Sequence, residues 1–312
     1  MARSSRQNWE RRAMTDFNEK MSYWQQLIEA RLPDCLPQVE DREGGHVTQA
    51  ARYSLLAGGK RLRPVLALAA GELFGLSEMV MMPYACAIEM IHTYSLVHDD
   101  LPSMDNDELR RGRPTAHVVY GEAMAILAGD LLLNRAAEIL LEAAVEQGSR
   151  AARAGLEIMT AAGGSGMIAG QSLDLAAEGN VITADELKQL QRKKTGALLS
   201  APLLAAASLA QISPEETAII RKFAESIGLA FQIRDDMLDV LADQAELGKT
   251  IGKDQRDSKS TVVSLYGLEQ AGQLLDQTLS EARLAVEALA AARPGKTYFF
   301  AGLVDYLRQR MF

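Results

Sequence analysis

Apolar residues recur at helical spacing along nearly the whole chain, and alternating β-branched runs are scarce. The pattern predicts helices over Phe17 to Leu32, His46 to Leu56 and Pro64 to Phe74. Further helices are expected over about 83–100, 117–146, 150–168, 184–208 and 214–242, then over Leu265 to Leu289 and Tyr298 to Arg308. Proline and glycine set the joints. Pro33 closes the first helix, Gly58 and Gly59 stop the second, and Pro64 falls near the first turn of the third, where its missing amide proton is harmless. Gly148, Gly179, Pro214, Gly248, Gly252 and Pro294 mark later joints. No low-complexity linker divides the chain, so a single all-α domain is expected over residues 21–312. Residues 1–20 are expected to be a disordered extension. Arg3, Arg6, Arg11 and Arg12 crowd its start, while Trp9 and Glu10 interrupt any transit-peptide pattern.

Thr195 to Pro214 carries no charge over 20 residues, long enough to span a bilayer. Ser200, Pro202, Ser208, Gln211 and Ser213 interrupt it, and it reads instead as a helix apolar on all sides, buried in a bundle. Stable membrane insertion is therefore not expected. At 48% hydrophobic and 24% charged residues the balance is that of an ordinary globular protein. A net charge of −8 argues against nucleic-acid binding. Cys35 and Cys86 give neither a disulfide framework nor a zinc pattern, which fits a reducing, cytoplasmic setting.

The chemistry concentrates after the apolar run Tyr84 to Val97. Asp99 and Asp100 fall where that helix must stop, because Pro102 lacks a backbone donor and pushes Leu101 out of the α region. A helix C-terminus already carries partial negative charge. Two carboxylates about 4 Å apart at an effective dielectric of about 20 repel by about 4 kcal/mol. The arrangement asks for a divalent cation, and all-oxygen ligands suit Mg²⁺. Asp105 lies about 240° round a regular helix from Asp99, so only a loop broken at Pro102 returns it to the same place. Arg110 and Arg111 follow at once and suit bidentate capture of phosphate. Carboxylates for metal beside arginines for phosphate imply a metal-bridged diphosphate.

A second acidic cluster, Gln232-Ile233-Arg234-Asp235-Asp236-Met237-Leu238-Asp239, has helical spacing. Asp235 and Asp239 are i,i+4, Asp236 lies within about 100° of them, and Gln232 shares their face. Three carboxylates on an otherwise apolar helix are costly to bury without a cation. The two clusters together suggest two helices clamping one metal group. Basic residues come in three sets: Gly58-Gly59-Lys60-Arg61-Leu62-Arg63-Pro64, Lys193-Lys194-Thr195-Gly196, and Lys249, Lys253 and Lys259. Any one set is usually a solvated face. With Arg110 and Arg111 they suggest two diphosphate pockets, with Gly170 to Leu175 as polar lining. His92, i,i+7 from Asp99, either donates to phosphate or is a satisfied core histidine.

These stretches together resemble the trans-isoprenyl diphosphate synthases, nearest the bacterial farnesyl diphosphate synthases. GGKRLRP at 58–64, DDLPSMDND at 99–107, RRG at 110–112, GQSLDL at 170–175, KTGAL at 194–198 and FQIRDDMLD at 231–239 carry the resemblance. It implies an isoprenoid-synthase-type helical bundle around a deep central cavity, usually a homodimer, using three Mg²⁺ ions. The resemblance gives metal binding to Asp99, Asp105 and Asp235, supported by Asp100, Asp236 and Asp239. Arg110, Lys194, Lys249 and Lys259 would hold an allylic diphosphate. Lys60, Arg63, His92 and Arg111 would hold isopentenyl diphosphate, and Thr195 and Gln232 would lie beside the allylic cation. Ser95 is one helical turn below Asp99 and Tyr94 about 140° round from it. An aromatic at the Tyr94 position is associated in this family with stopping at farnesyl length, which favours that product over geranylgeranyl diphosphate. Two stretches depart from the family pattern: Lys259-Ser260-Thr261-Val262-Val263, and the chain end from Tyr298 to Phe312. A terpene cyclase or a non-catalytic synthase subunit are the rival classes. The aspartates at 235, 236 and 239 and the Lys60 and Arg63 pair argue against the first, and the completeness of both acidic clusters against the second.

Overall fold

The computed structural model describes residues 2–37, 40, 44–180, 182–247 and 261–309. Helices make up nearly all of it: α1 (Ala2–Cys35), α2 (Gly45–Leu55), α3 (Leu62–Phe74), α4 (Glu78–Asp99), α5 (Ala116–Tyr120), α6 (Glu122–Gln147), α7 (Ser149–Ala162), α8 (Met167–Ala177), α9 (Ala184–Gln191), a π-helical turn (Arg192–Gly196), α10 (Ala197–Ala210), α11 (Pro214–Leu247), α12 (Val262–Ala292) and α13 (Tyr298–Gln309). The described strands are one antiparallel pair, β1 (Leu109–Arg110) and β2 (Arg113–Pro114). The all-α expectation holds.

Several boundaries differ from expectation. Pro33 does not end the first helix, which runs on to Cys35. The helix expected over 117–146 is two helices, broken at Gly121 (φ 84°, ψ 157°). The one expected over 184–208 is interrupted by the π turn. Within residues 1–20, α1 is helical from Ala2 and buries Ala13 and Phe17.

Contacts divide the chain into two compact units. The first comprises Met1–Lys20, Thr160–Leu204 and Ile212–Phe312, and the second Met21–Met159 and Ala205–Gln211. The core of the first is aromatic. Phe17 meets Phe299 at 5.1 Å, Phe299 meets Phe300 at 5.6 Å, and Phe223 meets Phe300 edge-on at 5.4 Å, a geometry that suits the ring quadrupoles. The core of the second is built on Trp24, Ile28, Leu32, Leu66, Leu68, Leu73 and Tyr84, all fully buried. The uncharged stretch after Thr195 becomes α10, buried along most of its length. No helix of the described residues is long and apolar enough to cross a membrane.

Candidate active site

In the second unit the site begins where α4 ends. Pro102 forces the chain out of the helix, and the loop folds straight back onto it. The Asp105 amide donates to the Asp99 carbonyl at 2.8 Å, Leu101 donates to His98 at 3.2 Å, and Met104 and Asn106 donate to Leu101 at 2.9 and 3.1 Å. These bonds satisfy carbonyls that a helix end leaves orphaned. They also return Asp105 to Asp99, as the broken-loop argument requires. Asp99 is half-buried and Asp105 exposed.

This helix end fits a hard divalent cation, since it offers carboxylate oxygens. Among the described residues no group of three or more His, Cys, Asp or Glu is gathered to hold a metal ion. Mg²⁺ usually keeps waters and takes one or two carboxylates plus substrate phosphate, not a closed protein cage. A pair of carboxylates at an open helix end suits that mode of binding.

Asp100 plays a different part. It is buried, and its Oδ1 accepts from Arg110 Nε at 2.6 Å and lies 2.5 Å from Arg110 Nη2. Arg110 also reaches Asp107 at 3.2 Å. Burial opposes the Arg110 charge, but the bond to Asp100 and the charges of Asp100, Asp107 and Asp99 outweigh it and raise its pKa. Arg110 is therefore locked to the acidic loop. The next residue turns the hairpin: Arg111 (φ 54°) and Gly112 (φ 72°) join β1 to β2, and two positive φ values in a two-residue loop make a type I′ turn. The left-handed conformation costs Arg111 roughly 1–2 kcal/mol. A hydrogen bond from its Nη1 to the Gly58 carbonyl holds it there.

That bond explains the double glycine. A Cβ on Gly59 would lie 2.6 Å from the Arg111 guanidinium carbon, and its φ of 132° excludes ordinary side chains. The space beside Gly59 is filled by an arginine. Arg61, passed over as one cation among several, is the keystone of the loop. It is buried at the N-terminal end of α3 with φ 48° and donates to Glu29 at 2.7 Å, Glu89 at 2.5 Å and the Leu55 carbonyl at 2.8 Å. Lys60 is exposed, with its carbonyl accepting from Gln25 at 2.7 Å.

Arg63 Nη1 lies 3.2 Å from His92 Nε2. Burial first, then the charges of Arg63, Arg111, Arg110 and Arg61, hold His92 neutral, well below the usual histidine pKa. Arg110 and Arg61 are already neutralised by Asp100, Asp107, Glu29 and Glu89, and the basic pocket suited to an anion is made by Arg63 and Arg111 beside the imidazole. A depressed folded-state pKa gives a stability contribution that is complete above the unfolded value of about 6.5. It is lost as pH falls through that value towards the folded one. The wild-type melting temperature should therefore fall more steeply below about pH 6.5 than that of His92→Gln. Parallel curves would contradict this.

Tyr94 is buried, and its hydroxyl meets no hydrogen-bond partner among the described residues. Its ring stands edge-on to His98 at 5.8 Å. Burial, and then the Asp99 charge, push its pKa up to about 12, so the phenol lies within the field of the acidic cluster. Ser95 is buried and donates to the His92 carbonyl at 2.9 Å.

The first unit holds the other residues. In the π turn, Lys194 Nζ meets Asp174 of α8 at 2.5 Å, and Gly170 lets α8 approach, since a Cβ there would sit 2.2 Å from the Lys194 amide nitrogen. One extra residue per turn rotates Thr195 so that its hydroxyl donates to Gln232 Oε1 at 2.9 Å, and π turns often mark functional sites. Gln232 Nε2 then donates to Asp236 Oδ1 at 2.8 Å. Asp236 also accepts from Gln191 Nε2 at 3.1 Å and from the Val262 amide at 2.9 Å, both on Oδ2. Burial raises its carboxyl pKa against the pull of Val262 and Gln232. Asp236 thus ties α9, α11 and the start of α12 together, while Asp235 is half-buried and Asp239 exposed on the same helix. Lys249 and Lys259 lie outside the described residues.

Three comparisons bear on this arrangement. The chain is 46% identical to the farnesyl diphosphate synthase of Escherichia coli K12 over 85% of its own length and 89% of that enzyme. It is 47% identical to the large subunit 1 of a heterodimeric chloroplast geranylgeranyl pyrophosphate synthase of Arabidopsis thaliana, over 83% of this chain and 70% of that one. A crystal structure of an FPP/GFPP synthase from Zymomonas mobilis superposes with a TM-score of 0.83 at 33% identity, covering 94% of this chain and 99% of that one. A family model described as polyprenyl synthetase matches residues 45–293, and the chain belongs to that family.

Proposed function

We propose that the protein is a prenyltransferase that condenses isopentenyl diphosphate with dimethylallyl or geranyl diphosphate to give farnesyl diphosphate. The observation that carries this is the pairing, within one unit, of a carboxylate-bearing helix end with the basic pocket around His92. Relatives named farnesyl diphosphate synthase, from Escherichia coli and, at 45% identity, Bacillus subtilis, support the product.

Asp99, Asp105 and Asp235 would hold Mg²⁺, in three ions, and the bound metal supplies charge neutralisation for a departing diphosphate. Arg110, Lys194, Lys249 and Lys259 bind the allylic diphosphate. Lys60, Arg63, His92 and Arg111 bind isopentenyl diphosphate, with His92 kept neutral so that it both accepts from Arg63 and donates to phosphate. The allylic C–O bond ionises. The Thr195 hydroxyl and the Gln232 amide lie beside the cation, positioned by Asp236. Apolar walls exclude water, the isopentenyl double bond adds to the cation, and a proton leaves to the released diphosphate. Residues 21–312 act as one functional domain, in the cytoplasm. The exposed apolar residues Val118, Val119, Leu127, Leu141 and Val145 on α5 and α6 support a homodimer.

The test is an assay of the purified protein with Mg²⁺, isopentenyl diphosphate and dimethylallyl or geranyl diphosphate, followed by chromatography of the dephosphorylated products. Farnesol is expected, and no prenyl product would overturn the proposal. Geranylgeraniol as the main product would favour geranylgeranyl diphosphate synthesis, for which the Arabidopsis thaliana relative speaks. Tyr94→Ala should lengthen the product, because it removes a buried ring within reach of the Asp99 field. An unchanged product distribution would remove the chain-length role of Tyr94.

A further inference from the structure

We propose that Cys35 and Cys86 form an oxidisable thiol pair, a modification site at which a small uncharged or cationic oxidant closes a disulfide between the end of α1 and α4. They are the only cysteines in the sequence. Both are free and buried, Cys35 at 7% exposure and Cys86 at 0%. Both line one cleft of about 570 Å³ walled by α1, α4 and α6 within the second unit. Nothing in the prenyl-transfer reaction uses either one.

The thiols are hydrogen-bonded to each other, with Cys86 donating to Cys35. The pair is asymmetric. That bond, against burial and with help from the Arg31 and Arg135 charges, lowers the Cys35 pKa. The same bond, together with burial, raises Cys86 well above the usual thiol value. The thiolate is the nucleophile in thiol exchange, and Cys35 is the more exposed of the two and the one beside Arg135, so Cys35 attacks and Cys86 resolves. Backbone carbonyls on either side of Cys35 are held by side chains of two other helices. Arg135 Nε donates to the Cys35 carbonyl at 3.0 Å, and Arg52 donates to the Pro33 carbonyl at 2.8 Å and to the Leu36 carbonyl. The end of α1 is thereby tied to α2 and α6, and a disulfide across the pair requires the two Cα atoms to lie within about 7 Å.

The cleft walls select the oxidant. Arg31 and Arg135 face Asp34, Glu78, Glu142 and Glu146, so carboxylates outnumber guanidiniums and an anionic reagent is repelled. With a small disulfide as oxidant, the Cys35 thiolate attacks one sulfur, breaks its S–S bond and expels one small thiolate. Cys86 then gives up its proton to that thiolate, which leaves as a thiol, attacks Cys35 Sγ, breaks the mixed disulfide and releases the second small thiolate. Two protein thiols are oxidised and one small disulfide is reduced. The high pKa of Cys86 makes the second step the slower one.

The experiment exposes the full-length protein to cystamine, a cationic disulfide, or to oxidised glutathione, an anionic one, and follows free thiols and peptide masses. Wild type should lose both thiols, yield a linked Cys35–Cys86 peptide with no retained adduct, and react at least about tenfold faster with cystamine. Cys86→Ser should stop at an adduct on Cys35, and Cys35→Ser should leave Cys86 unmodified. Survival of both thiols in folded wild type, a persistent adduct on wild-type Cys35, or disulfides only between chains would overturn the proposal. So would equal rates with the two reagents, or Cys35→Ser reacting as fast as wild type.

Discussion

Asp99→Ala should lower kcat/KM for prenyl transfer by about a thousandfold, the scale on which a preorganised electrostatic group contributes to a transition state. The residue stands at the end of α4, half-buried, with its carbonyl already used by the Asp105 amide. The backbone bond survives the substitution, and only the carboxylate is lost. Stability should stay within about 1 kcal/mol, as for substitutions outside a packed core. A large loss of activity at unchanged stability would locate the effect in ligand handling. The effect should appear in Mg²⁺ titrations as a higher concentration for half-maximal rate. Activity within about tenfold of wild type, a barrier change of only about 1.4 kcal/mol, would remove Asp99 from the metal site.

Arg61→Met should give the largest loss of stability. Arg61 and Glu89 are both buried, and the pair is joined at 2.5 Å. Removing the guanidinium leaves Glu89 buried without its ion-pair partner, at a cost of about 3–5 kcal/mol. Replacing both, Arg61→Met with Glu89→Leu, should restore most of that loss, because the destabilisation lies in the orphaned carboxylate. Urea unfolding at constant m-value measures it, and a double variant no more stable than the single one would contradict the argument. Arg61 also starts α3, flanked by Lys60 and Arg63, so surviving Arg61→Lys protein should show a raised KM for isopentenyl diphosphate with an unchanged KM for the allylic substrate.

The helices were legible because apolar residues at 3.6-residue spacing bury one face wherever they fall. The return of Asp105 to Asp99 was legible because Pro102 leaves the chain few options. What escaped reading was local geometry with no period. A hairpin of two-residue strands around Arg111-Gly112 is too short to alternate. A π turn at Arg192–Gly196 adds a single residue to a helical pattern without disturbing its composition. The run of cations at Lys60, Arg61 and Arg63 looks uniform in sequence, yet its middle member is buried in an ion-pair network. Glu29 and Glu89, its partners, lie far from it in the chain, and only tertiary packing brings them together. The first turns of α1 carry many arginines, which hid the apolar contacts that Ala13 and Phe17 make further along it.

The acceptor pattern at Asp236 sets what that position tolerates. Its two oxygens receive N–H donors on both sides, from Gln232 on one and from Gln191 and Val262 on the other. An asparagine has the same shape but must turn an NH₂ towards one of those donors. One orientation sets N–H against the fixed Val262 amide, and the other keeps its bonds only if the Gln232 amide flips and the Thr195 hydroxyl turns from donor to acceptor, so the amide should reverse the polarity of that chain although it removes the desolvation penalty of a charge. The position is spelled for lone pairs on both faces of a planar group, and aspartate is the shortest side chain that supplies them.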